Sequence, residues 1–132
     1  QRQMCIRDRD LPTKEKVIDF FNLLDQIKYP CVMHCKSGAD RAGLAAALYM
    51  IYRNKLPVKE AIKQLSFKHL HIKYAKTGIL DYFFEEAINK NKNSSNDFIK
   101  WIKHDYDKCS LKKKFKYNSL FSFFLIDGCK KL

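Results

Sequence analysis

The segment HCKSGADRAG, residues 34–43, constrains this chain more than any other stretch. It lies between a short apolar run, Cys31-Val32-Met33-His34, and an alanine- and leucine-rich run from Ala42 to Tyr52. The first run reads as a buried strand. The second is a strong helix former, apolar nearly all round, and so belongs at the centre of a fold. The turn between them sets Cys35 six positions before Arg41. Such a turn aims backbone N–H groups and the positive end of a helix at whatever occupies it. A free thiol, with a pKa of about 8.5, is mostly protonated at neutral pH, and this environment favours its thiolate. The same N–H groups, from Lys36, Ser37, Gly38, Ala39 and Asp40, form a nest for an anion. Arg41 adds a planar fork for two phosphate oxygens. Gly38 permits the tight backbone, and Gly43 permits close packing at the helix start.

The rest of the chain reads mostly as helices. Val17, Phe20, Phe21, Leu24 and Ile27 recur at intervals of three and four after Thr13, which serves as a cap, and Tyr29-Pro30 ends that helix. Leu56-Pro57 opens another helix, with Val58, Ala61, Ile62 and Leu65 on one face. Residues 68–78 read as a connecting loop. A helix follows from Ile79 to about Asn89, then a polar loop, then a helix capped by Asn96 that carries Phe98, Ile99, Trp101 and Ile102. SLKKKFKY, residues 110–117, has helical character, and residues 119–132 form an apolar tail without an assigned role.

Composition narrows the functional classes. With 46% apolar residues in 132 positions, the chain supports one globular domain with a core. No apolar run reaches the roughly 18 to 20 residues of a membrane span. Five cysteines without CxxC pairs argue against a disulfide scaffold or a zinc site, and a reducing cytoplasm is expected. The net charge of +12 comes mainly from lysine, with no arginine-rich, aromatic-interleaved stripe, so anionic substrates are expected and nucleic acid is not. His69 and His71 lack further ligands at metal spacing and are expected to be satisfied or exposed histidines rather than a metal pair. Cys31 is expected in the core. No metal and no cofactor is implied, and the oligomeric state is open.

Residues 1–9, QRQMCIRDR, resemble the translation of a sequencing-library adapter. The codons CAG CGT CAG ATG TGT ATA AGA GAC encode the first eight residues. On that basis Cys5 and Asp8 carry no function, the authentic chain begins near Asp10 with sequence missing before it, and the net charge falls only from +12 to +10.

HCKSGADRAG resembles the H-C-x-x-x-x-x-R signature of the cysteine-based protein tyrosine and dual-specificity phosphatases. The blocks AALYMIYRNKLPVKEAIKQLS, HLHIKYAKTGILDYFFE and FIKWIKHDYD are similar to a bacterial branch of that family. The resemblance implies an α/β phosphatase fold: a phosphate-binding loop between a central buried strand and a helix, a mostly helical C-terminal half, and N-terminal sheet strands missing from this chain. Residues 10–118 would be the C-terminal part of that domain. It implies that Cys35 is the nucleophile forming a phosphocysteine, that Arg41 binds phosphate, and that His34 supports the thiolate by hydrogen bonding. Phosphotyrosine in proteins is then the leading substrate, with phosphoserine and phosphothreonine beside it. A phosphoinositide or other small phosphomonoester is the alternative, and a phosphopeptide-binding pseudophosphatase is a third reading. Ala42 departs from the family pattern, because a Ser or Thr usually follows the arginine and assists release of the cysteine.

The proton donor is the open point. The family's general acid lies on a loop before the helix that precedes the signature, roughly where Asp10 stands. Asp40, inside the anion-binding loop, is a second candidate by resemblance to myotubularin-like phosphatases, although electrostatics suits it better to orienting Arg41 or a backbone group. An acid upstream of residue 10, or none, completes the alternatives.

Overall fold

A computed structural model describes residues 10–73 and 76–115. The adapter-like residues 1–9 and the apolar tail 119–132 lie outside the described residues. Six helices carry the fold: α1 (Lys14–Gln26), α2 (Asp40–Tyr52), α3 (Val58–Ala61), α4 (Ile79–Asn89), α5 (Ser95–His104) and α6 (Lys108–Lys114). Short 3-10 turns at Ile62–Gln64, Phe67–His69 and Lys76–Gly78 connect α3 to α4.

The expected α/β architecture is corrected here. Among the described residues there is no β-strand, and Cys31 to His34 is not a buried strand. Val32 is 89% exposed, and Cys31, placed in the core by its apolar neighbours, is exposed as well. A strand exists only where a neighbouring strand takes its backbone hydrogen bonds, and the described residues supply none. Without such a partner the segment lies at the surface, where solvent is accessible to its backbone groups.

The helices form for the reasons their sequences give. Thr13 caps α1 by accepting from Lys16 N–H at 3.3 Å, and the helix buries Val17, Phe21 and Leu24. Ser94, rather than Asn96, caps α5, because its hydroxyl oxygen accepts from Asp97 N–H at 3.2 Å. Asp107 caps α6 through Cys109 N–H and Ser110 N–H. α3 is shorter than the apolar pattern suggests, since Ile62 to Gln64 tighten into a 3-10 turn.

α2 is central. It packs against α1, α3 and α5 and buries Leu44, Ala47, Leu48 and Ile51. Beside it, Phe83 and Phe84 of α4 meet Phe98 and Trp101 of α5, with Phe83 edge-on to Phe98 at 5.9 Å between centroids. Tyr106 closes the aromatic cluster, edge-on to Phe83 at 5.1 Å, and donates its hydroxyl to Pro12 C=O at 2.7 Å. Burial pushes the Tyr106 phenol far above its usual range, so it remains a donor at any working pH. Lys108 donates to Asp10 at 2.8 Å, binding the same two stretches from the surface.

Replacing Tyr106 by Phe leaves the Pro12 carbonyl unpaired in the interior. Urea unfolding of Tyr106→Phe should show a loss of about 1–2 kcal/mol, with the helical circular dichroism of the folded state unchanged.

Candidate active site

Cys35 stands five positions before the first residue of α2, and the turn between them acts on its sulphur. The backbone N–H of Gly38 donates to Sγ at 3.2 Å. Gly38 achieves this with φ +73°, a left-handed conformation that costs glycine little and other residues more. Burial raises the thiol pKa, but the N–H groups of Ala42, Gly38 and Ser37, together with the Arg41 charge, outweigh it and hold the thiol below its ordinary value. Ala42, which lacks the hydroxyl of the family pattern, therefore contributes through its backbone.

The remaining loop residues are distributed as an open cradle. Lys36, Ser37 and Gly38 are exposed, Ala39 is buried at 5%, and Arg41 is partly exposed. The cradle is held by packing behind it. A Cβ added to Gly43 would meet Leu65 Cδ2 at 2.9 Å and the Gln64 carbonyl at 3.1 Å, so glycine there lets α2 lie close against the turn after α3.

His34 is exposed, and backbone N–H groups of Ala42, Gly38 and Ser37 face the Cys35 sulphur. Asp10 is held by Lys108 at 2.8 Å and Lys112 at 3.5 Å, and accepts from Leu11 N–H at 2.8 Å. Burial raises its pKa, but the Lys108 hydrogen bond and the charges of Lys108 and Lys112 prevail and keep the carboxyl below the usual range.

The Asp40 side chain reaches His71. Asp40 Oδ1 lies 2.7 Å from His71 Nδ1, and Asp81 Oδ2 lies 2.6 Å from His71 Nε2. His71 and Asp81 are both buried. The sequence offered two signals for this cluster. Asp81 is the one acid inside the apolar run ILDYFF, and His71 stands between Leu70 and Ile72, where a polar residue breaks an apolar pattern.

A sequence model of the tyrosine phosphatase family matches residues 2–110. The chain belongs to the tyrosine phosphatase family. No curated protein and no solved structure matches it. Membership in this family supports phosphatase activity in general, the hydrolysis of phosphate esters. Among the described residues no helix is long and apolar enough to cross a membrane.

The depressed thiol has a direct readout. The rate of Cys35 alkylation by iodoacetamide, isolated by comparison with Cys35→Ser, should reach half its maximum at a pH below the free-thiol value of about 8.5. Arg41→Gln should move that midpoint upward.

Proposed function

We propose that this tyrosine phosphatase family member hydrolyses phosphotyrosine in proteins through a phosphocysteine at Cys35. The observation that carries this reading is the Gly38 N–H donating to Sγ at 3.2 Å, beside Arg41 and at the head of α2. These groups stabilise a thiolate first and a phosphoryl group next, because the same dipoles serve both anions. In the first step Sγ attacks phosphorus, the bond to the leaving oxygen breaks, and that oxygen takes a proton. In the second step water attacks the phosphocysteine, phosphate departs and the thiolate is restored. Arg41 bridges two equatorial oxygens in both transition states. The basic chain, with a net charge of +12, favours acidic substrates. Phosphoserine, phosphothreonine and phosphoinositides bring the same phosphoryl group to the same cradle, and the substrate comparison below separates them.

Asp10 is the proposed proton donor on resemblance alone. Its two lysine partners hold it as a carboxylate, so donation by Asp10 requires their release. Asp10→Asn on the full chain should lower kcat on a phosphotyrosine peptide by about a hundredfold or more; a change of less than about threefold would remove Asp10 as the acid.

A second reading has its own observation. Ala42 brings no hydroxyl to assist the departing cysteine, which suits a protein that retains a phosphopeptide without turnover. A phosphotyrosine peptide, a phosphoserine peptide and a soluble phosphoinositide should be tested with wild type and Cys35→Ser. Repeated phosphate release from the phosphotyrosine peptide, abolished by Cys35→Ser while peptide binding persists, is the expected result. Binding without release by the wild type would establish the pseudophosphatase, and faster release from the lipid would move the substrate class.

A further inference from the structure

Residues 66–72 invert the usual burial pattern. Phe67, Leu70 and Ile72 are 78%, 72% and 52% exposed, whereas His71 is 2% exposed. The backbone is shaped for this. The turn Phe67–His69 closes with His69 N–H on Ser66 C=O at 2.9 Å, Leu70 takes φ +62°, and His71 N–H returns to the same Ser66 carbonyl at 3.1 Å. Three exposed large apolar side chains and a left-handed leucine cost free energy. Their common result is one imidazole in the interior.

That imidazole is fully engaged. Its Nδ1 lies 2.7 Å from Asp40, the first residue of α2 and the neighbour of Arg41, and its Nε2 lies 2.6 Å from Asp81 in the first turn of α4. An ionised carboxylate only accepts hydrogen bonds. With both carboxylates ionised, two such contacts on opposite ring nitrogens call for an N–H on each, which is the imidazolium.

We propose that His71 is a positioning residue of the phosphate loop: clasped as an imidazolium between Asp40 and Asp81, it offsets the carboxylate beside Arg41 and fixes the start of α2 against α4. This rests on the phosphate-binding role given to the loop above. A carboxylate in an anion cradle opposes an incoming phosphate. Turned onto a cation, Asp40 no longer does so.

The groups facing the ring are Asp40 from α2 and Asp81 from α4. Burial raises the Asp81 pKa against the lowering effect of His71 and Lys73, and Glu85, paired with Lys73 at 2.5 Å, raises it further. Burial lowers the His71 pKa, but the hydrogen bonds to Asp81 and Asp40 outweigh it, and the net direction is upward. A folded-state value above the unfolded one means that the clasp is complete below about pH 6.5 and is released as pH rises through the raised value.

The test uses the full chain and inorganic tungstate as a phosphate-like oxyanion, with affinity measured by calorimetry at pH 6.5. His71→Gln should bind tungstate about tenfold more weakly or worse, because Asp40 regains its full charge. The double variant Asp40→Asn/His71→Gln should recover most of the loss. If His71 were only a packing residue, the double variant would bind as weakly as His71→Gln or more weakly, and the inference would fall. Nitrogen NMR of the wild-type ring at neutral pH is independent of how the variants fold: two protonated nitrogens support the clasp, and a neutral tautomer overturns it. Equal binding by wild type and His71→Gln sinks this inference while leaving the phosphatase reading intact, whereas absence of tungstate binding by the wild type sinks both.

Discussion

The first turn of α2 begins with amide N–H groups that have no carbonyl partners within the helix. Any helix start carries such orphans, and most proteins cap them with a side chain. Here Ala39 precedes the helix with no side-chain cap, and the sulphur of Cys35 lies where the orphan donors point. The local dipole is thus left available to an anion. The rest of the structure keeps that helix start rigid and open.

Rigidity comes from the faces of α2 that point away from the cradle. Gly43 lets Leu65 and the Gln64 carbonyl approach within contact distance, so the first turn is braced from the α3 side. Ser95 of α5 donates to the Ile51 carbonyl near the other end of α2 at 2.6 Å. Between these points Leu44, Ala47, Leu48 and Ile51 are almost completely buried. A helix fixed along its length can present its first amides without reorganising, which is what electrostatic preorganisation requires.

The helical half of the fold was legible because its cues are local. Thr13, the periodic Val17, Phe21 and Leu24, and the alanine-rich α2 each announce themselves within one or two turns of chain. The signature segment was legible as chemistry but not as architecture. Cys31-Val32-Met33-His34 has a strand's composition, yet a strand is a relation between segments, and no described segment pairs with it. His71 was legible only in part for a similar reason. The sequence made it a satisfied or exposed histidine without naming what satisfies it, and its partners, Asp40 and Asp81, lie 31 and 10 positions away. Sequence order shows a histidine near another histidine; only the fold shows it facing two acids. Asp10 shows the same limit, since its place before α1 is visible in the sequence while its lysine partners arrive from α6.

Those contacts between Asp10 and α6, and between Pro12 and Tyr106, span 98 and 94 positions of sequence. They join the two ends of the described chain into a closed circuit around α2. Most other ties in this helical fold are local and form quickly, whereas a closure of this length carries the largest loop entropy and gains nothing until the helices are in place. It is therefore a late event in assembly and an early one in opening. A load applied to the two ends would peel this latch one bond at a time before it strained α2, so the phosphate loop is placed at the part of the circuit that feels such a load last.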